Sequence, residues 1–282
     1  MNSSFGVYLR PKTLAEALNA LESMPCTVLA GGTDFYAARS GQAITEPVLD
    51  VTAIPALRRI SDEGAQWCIG ATVTWTDIVR AQLPAQLRGL QAAAVQVGGV
   101  QVQNTGTVAG NICNASPAAD GIPALMALDA QVELASCSGV RTLALTEFVL
   151  GSRKTARCAN ELLTAFLIPK REMARSSFLK LGNRRYLVIS IAMVSAVLEI
   201  DAGHVIRHAG IAVGACSAVA QRLSALEQRL IGRRAAAGLS DLVVASDLAA
   251  LTPIDDTRGT GAYRRDAALT LVKRAIEEAI HE

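Results

Sequence analysis

Two short stretches of this 282-residue chain carry residue types that can do chemistry on a phosphorylated ligand. One is Thr107-Val108-Ala109-Gly110-Asn111-Ile112-Cys113-Asn114-Ala115-Ser116-Pro117-Ala118-Ala119-Asp120. It places small residues, hydroxyls, amides and one carboxylate just before an apolar run through Ile122, Leu125, Met126 and Leu128. The other is Val28-Leu29-Ala30-Gly31-Gly32-Thr33-Asp34-Phe35. Small residues let a backbone approach a diphosphate and turn N–H groups onto it, and a nearby aspartate can accept hydrogen bonds from a ribose. Taken singly, Gly31-Gly32 reads as a strand-to-helix turn and Asp120 as the N-cap of the helix that follows. Taken together, the two stretches point to one extended dinucleotide held between two lobes.

The elements that must position them follow from pattern and punctuation. Thr13 with Glu16 forms a capping box opening a helix over 14–23. Strands are expected over 27–30 and 48–51, with a helix from Asp34 between them, which makes a small parallel sheet. Beyond residue 66 the pattern changes. A strand over 67–70 and helices over 76–81 and 85–95 precede the glycine-containing segment 98–121, which has no regular period. Strands over 131–136 and 140–145 flank the turn Cys137-Ser138-Gly139, and a third over 161–168 ends at Pro169. Residues 169–177 read as a basic, polar linker. A hairpin over 191–200 and 205–213, turning at Asp201-Ala202-Gly203, and helices over 218–231, 241–251 and 266–281 close the chain. The expected class is α+β, in lobes spanning 1–60, 61–172 and 173–282.

Bulk properties narrow the function. A chain of this length buries about three quarters of its unfolded surface, enough for a sizeable core. Apolar residues make up 51%, charged residues 18% and aromatics only 4%, with a net charge of +2. With no basic stripe carrying interleaved aromatics, nucleic acid is not an expected partner. Six cysteines (Cys26, Cys68, Cys113, Cys137, Cys158 and Cys216) are scattered without a C-x-x-C pair, which argues against an iron–sulfur cluster or zinc site on this chain. No secretory signal is evident and the longest apolar run, 188–198, is too short to span a bilayer, so a reduced cytoplasmic setting is expected.

Several common machineries are absent. There is no G-x-G-x-x-G after a strand, no G-x-x-x-x-G-K-[ST] and no G-x-S-x-G. All three histidines (His204, His208 and His281) lie in the last third, and none reads as a metal ligand.

Ordered segments along almost the whole chain give it a family resemblance. They are Tyr8-Leu9-Arg10-Pro11, the two loops above, Gly151-Ser152-Arg153-Lys154-Thr155, Glu161-Leu162-Leu163 and Phe178-Leu179-Lys180-Leu181-Gly182-Asn183-Arg184-Arg185, followed by the C-terminal hairpin and helices. The sequence resembles the FAD-binding medium subunit of the xanthine dehydrogenase and carbon monoxide dehydrogenase family of molybdenum hydroxylases. The resemblance implies a two-lobe FAD-binding fold of the vanillyl-alcohol-oxidase type and a C-terminal lobe of antiparallel sheet with helices.

It also implies site residues. Leu29, Ala30, Gly31, Gly32, Thr33, Asp34 and Phe35 would wrap the diphosphate. Thr107, Gly110 and Asn111 would close from the second lobe, with Gly98 and Asn114 in the same segment. Asp120 would hold the adenosine ribose, Leu163 would pack near the flavin or adenine, and Lys180 would reach the pyrimidine edge of the isoalloxazine. FAD would be non-covalent, since neither cofactor lobe holds a histidine. Molybdopterin and [2Fe–2S] clusters would belong to a large and a small partner subunit, in a dimer of heterotrimers. Electrons would pass from the clusters through flavin to an external acceptor. Ala109 stands where relatives have glycine, which requires a backbone there that avoids positive φ. Tyr186 is a further flavin-facing candidate. The alternatives are a self-sufficient FAD reductase or oxidase, which would need substrate-binding groups in the third lobe, and a scaffold subunit that has lost FAD.

Overall fold

A computed structural model describes residues 6–185 and 187–281 of the chain; Tyr186 lies outside the described residues. Its first lobe contains β1 (Tyr8–Leu9), α1 (Leu14–Ser23), β2 (Thr27–Leu29), the short α2 (Phe35–Ala38) and β3 (Val48–Asp50). β1 and β2 both pair parallel to the central β3, as the alternating pattern requires. Thr13 Oγ1 accepts the Glu16 N–H at 3.2 Å, and the Glu16 carboxylate reaches the Lys12 N–H at 2.8 Å instead of that of Thr13, a capping box displaced by one residue. Ala17 and Leu21, one turn apart, join Leu49, Val51, Ile54 and Leu57 in a small core that Leu162 of the second lobe completes.

The second lobe runs through β4 (Ile60–Asp62), β5 (Gln66–Gly70), α3 (Trp75–Arg80), α4 (Arg88–Ala94), α5 (Val100–Thr105), α6 (Val108–Asn114) and α7 (Gly121–Ala127). It continues with β6 (Gln131–Ser136), β7 (Gly139–Ala144), α8 (Leu145–Phe148), β8 (Val149–Gly151), β9 (Lys154–Thr155) and β10 (Leu162–Pro169). The main sheet has the order β4-β5-β10-β6-β7 and is antiparallel throughout. Two expectations need correction. The helix expected over 85–95 starts as a 3-10 turn, Ala85–Leu87, before α4. The segment 98–121 is largely helical. α5 and α6 are six and seven residues long, under two turns each, so no apolar period can show. They are set by their caps: Thr107 Oγ1 accepts the Gly110 N–H at 3.0 Å. Ala109 sits within α6, where a methyl group carries no conformational penalty.

The third lobe is the antiparallel sheet β11 (Ala174–Leu181), β12 (Ala192–Ile200), β13 (Ile206–Gly214) and β14 (Gln221–Arg222), with α9 (Ser224–Leu230) and α10 (Gly261–His281). α10 buries Ala268, Leu271, Val272, Ala275, Ile276 and Ala279, a stripe at helical spacing that covers the sheet. The expected linker 169–177 is wrong in its second half, which belongs to β11. Its serines are buried because each has a partner: Ser176 Oγ accepts the Gly89 N–H at 2.8 Å, and Ser177 Oγ donates to the Ala275 carbonyl at 2.7 Å. The helix expected over 218–231 shrinks to α9, since residues 221–222 pair with β13. That over 241–251 breaks into 3-10 turns Leu239–Leu242 and Ala245–Leu248, and the last helix begins five residues early.

One continuous core joins the second and third lobes, from Val132 and Phe166 to Met193, Val197 and Ala212. A charged cluster pins the same junction. Asp129 lies 2.7 Å from Arg222, 3.0 Å from His208 Nε2 and 3.3 Å from Arg171, and Arg222 also meets Glu227 at 2.6 Å. Burial works to raise the Asp129 pKa, but His208 and Arg222 more than offset it and hold the carboxyl below its ordinary range. A depressed folded pKa stabilises above the unfolded value and loses that stability as the pH falls. Urea unfolding will therefore show full stability above about pH 4 and a progressive loss below it. Asp129→Asn will flatten part of that loss and lower stability at neutral pH by about 2 kcal/mol. An unchanged pH profile in the variant would deny Asp129 this role.

Candidate functional site

The two sequence stretches meet in space. A cleft of about 570 Å3 opens between the first and second lobes, within the range of small-molecule and cofactor sites. One wall is the turn after β2, with Ala30, Gly31, Gly32, Thr33, Asp34 and Phe35. The facing wall is the start and inner side of α6, with Thr107, Ala109, Gly110, Asn111 and Asn114. Leu163, from the central strand β10, forms part of the floor.

The turn closes tightly. Gly32 has φ of 73°, a left-handed conformation glycine adopts freely, and the Tyr36 ring packs where a side chain would stand. At Gly31 a Cβ would lie 1.9 Å from the Thr105 carbonyl oxygen, so the two lobes touch here backbone to backbone. Below them Trp75, 1% exposed, packs under Gly121, where a Cβ would come within 2.6 Å of the indole.

The donor chemistry suits an anion. Among the described residues, no backbone hydrogen bond within the protein uses the N–H of Gly31, Gly32 or Thr33, and the same holds for Ala109 in the first turn of α6. These N–H groups belong to residues that line the cleft. Unsatisfied donors in a helix's first turn and in a glycine turn form a phosphate cradle. Cys113 also lines the cleft, and burial pushes its thiol up to about 11, which leaves it protonated and inert.

Four of the expected site residues are not on the cleft wall. Leu29 is 5% exposed and packs in β2, while Gly98 and Lys180 line a separate small crevice with Gln96, Arg185 and Val188. Asp120 lines neither. Lys180 Nζ donates to the Asp120 carboxylate at 2.8 Å and to the Gln96 carbonyl at 3.2 Å, and Ser190 Oγ donates to the other Asp120 oxygen at 2.7 Å. Burial raises the Asp120 pKa, with Lys180 and Ser190 countering only in part. The carboxylate makes no helix-capping bond, and its own backbone is already helical, so the N-cap reading fails. The pairing also constrains the roles the resemblance implies. An adenosine ribose and an isoalloxazine lie at opposite ends of an extended FAD, so two side chains in direct contact cannot serve one end each.

Sequence reasoning missed several wall residues, among them Cys26, Arg39, Trp75, Arg153, Thr155 and Arg157. The segment Gly151–Thr155 already stood out by resemblance, and that signal could have flagged Arg153 and Thr155. Nothing local marks Trp75 or Arg157.

Comparison with known proteins gives the family. The profile of the FAD-binding domain in molybdopterin dehydrogenase matches residues 3–171, and that of the CO dehydrogenase flavoprotein C-terminal domain matches 177–279. The chain belongs to this family. It is 32% identical to the nicotinate dehydrogenase FAD-subunit of Eubacterium barkeri over 80% of this chain and 79% of that protein. It is 30% identical to a putative xanthine dehydrogenase FAD-binding subunit of Escherichia coli over 98% of this chain and 96% of that protein. A chain of reconstituted CO dehydrogenase from Oligotropha carboxidovorans superposes with a TM-score of 0.90 at 28% identity, covering 100% of this chain and 99% of that one.

The protein is thus the FAD-binding subunit of a CO- or xanthine-dehydrogenase-type molybdenum hydroxylase, and its fold is the α+β arrangement expected, with FAD-binding and C-terminal parts. FAD fits the cleft on the protein's own evidence, through the open N–H groups and the close-packed glycine turn. No helix among the described residues is long and apolar enough to cross a membrane.

Proposed function

We propose that this subunit carries one non-covalent FAD between its first two lobes, 1–60 and 61–172, and serves as the electron outlet of a larger complex. Its partners are a molybdopterin-bearing large subunit and a [2Fe–2S] small subunit, in a dimer of heterotrimers, and it works in the cytoplasm. When bound, FAD supplies a store for two electrons, received from the clusters and released to an external acceptor. The observation that carries the reading is the cofactor-sized cleft itself, lined from two lobes by residues whose backbone N–H groups make no backbone hydrogen bond within the protein.

In this reading Gly31, Gly32, Thr33 and Ala109 donate backbone N–H groups to the diphosphate, and the Thr107, Asn111 and Asn114 side chains border it. Leu163 packs against a ring. Asp120 and Lys180 act together at the flavin end, where they set a balanced local charge near the crevice lined by Gln96 and Gly98.

Flavin released by acid from the purified chain will chromatograph as FAD. FMN, or no flavin after reconstitution, would sink the reading. The lone chain will oxidise no organic substrate, although it will pass electrons slowly between an artificial donor and acceptor. Substrate hydroxylation without partner subunits would equally overturn the assignment.

A further inference from the structure

The segment Gly151-Ser152-Arg153-Lys154-Thr155 has no part in the function above, yet the fold delivers it to the cleft. It forms the tip of the β8–β9 hairpin, and both Arg153 and Thr155 line the FAD cleft. Arg153 stands at φ of 59°, in the left-handed region that side chains other than glycine adopt rarely. The tip is held there by α6. The Arg153 N–H donates to the Ala115 carbonyl at 2.9 Å, and the guanidinium reaches the Asn114 side-chain oxygen. Asn114 lies one helical turn beyond Gly110 on the same wall, about 6 Å along the helix axis from it, so the guanidinium contacts the far end of the wall whose near end would hold the diphosphate.

The charges of the cleft single out the same side chain. Three arginines line it, Arg39, Arg153 and Arg157, against one acid, Asp34. Arg39 is neutralised by Glu46 at 2.7 Å and lies over the Phe35 ring. Arg157 is fixed by the carbonyls of Cys158 at 3.1 Å and Glu161 at 2.6 Å. Arg153 is exposed, and its guanidinium donates to neutral amide oxygens of Asn114. A diphosphate brings two negative charges, and backbone N–H groups supply no net charge to meet them. A guanidinium presents a planar fork of donors that matches phosphate oxygens.

We propose that Arg153 is the cation that pairs with the FAD diphosphate, exchanging the Asn114 oxygen for a phosphate oxygen, with Arg157 as a fixed positive neighbour. This rests on the FAD reading. The test uses the full-length chain stripped of flavin and titrated with FAD by fluorescence across a range of KCl concentrations. Arg153→Gln will weaken FAD binding about ten-fold or more and flatten its dependence on salt, because one screened charge pair is gone. Arg153→Lys will recover most of the salt dependence. The inhibition constant of ADP, which carries the diphosphate without the flavin, will rise by a similar factor in the Gln variant. Wild-type affinity in Arg153→Gln overturns the proposal, and so does weakened binding that keeps the full wild-type salt dependence, which would make Arg153 a hairpin anchor only. A wild-type chain that takes up no FAD overturns the FAD reading and this proposal with it, so the two failures are distinguishable.

Discussion

Asp120→Ala will destabilise the chain by about 3–5 kcal/mol, the usual effect of removing one partner from a buried ion pair. The Asp120 and Lys180 side chains are 8% and 6% exposed, and each satisfies the other at 2.8 Å. Removing the carboxylate takes from the buried Lys180 amine its counter-ion, leaving it the Gln96 carbonyl as acceptor, and frees the Ser190 hydroxyl in a buried position. The double replacement Asp120→Ala with Lys180→Met takes both charges out of the interior and will recover much of the loss. A double-mutant cycle by urea unfolding of the flavin-free chain measures this coupling directly. Additive single and double effects would show that the pair is not coupled in solution. A direct hydrogen bond from Asp120 to a ribose would instead make FAD affinity, and not the stability of the flavin-free chain, the quantity that changes most.

Much of this molecule is legible from residue types alone, and the boundary of legibility has a physical cause. The parallel first lobe, the antiparallel hairpins and the two glycine-bearing loops follow from local rules, because turns, caps and alternation act over a few residues. α1 begins where Thr13 places it, and the turn at Asp201-Ala202-Gly203 joins β12 and β13 as its composition requires, with Asp201 accepting the Gly203 N–H at 2.9 Å. What the sequence conceals is long-range. Ser176 and Ser177 read as linker residues until Gly89 and Ala275, both distant in sequence, supply their partners. Asp120 and Lys180 each look like solitary functional groups, and only the packing of β11 against the 96–120 region reveals that they meet. The helices of 98–121 escape a periodicity reading because none of them completes two turns. Arg157 offers no local sign of lining a cleft, since its place depends on how the loop before β10 folds over the second lobe.

Gly31→Ala will raise the FAD dissociation constant on the order of 100-fold while leaving both lobes folded, because a displacement of about 1 Å in a positioning element produces effects of that size. The added methyl carbon would sit 1.9 Å from the Thr105 carbonyl oxygen and 2.8 Å from the Gly106 Cα. Both are backbone atoms, so neither can swing aside as a flexible side chain would. A comfortable carbon–oxygen contact needs about 3.3 Å, so the walls must separate by more than 1 Å along this line. That movement draws the Gly31–Thr33 donors away from those of Ala109 and its neighbours, and one diphosphate can no longer reach both sets. The lobes survive because their cores are distinct: Ala17, Leu21 and Leu49 pack in the first, Ile69, Ile112 and Phe166 in the second. Gly110→Ala is the informative companion, since its methyl carbon meets only the Thr107 hydroxyl, at 2.8 Å. It disturbs the Thr107 cap without parting the walls. FAD titration together with circular dichroism of the flavin-free variants separates loss of the cleft from loss of fold. If Gly31→Ala binds FAD within about three-fold of wild type, roughly 0.7 kcal/mol, the contact at Gly31 does not set the width of the cleft.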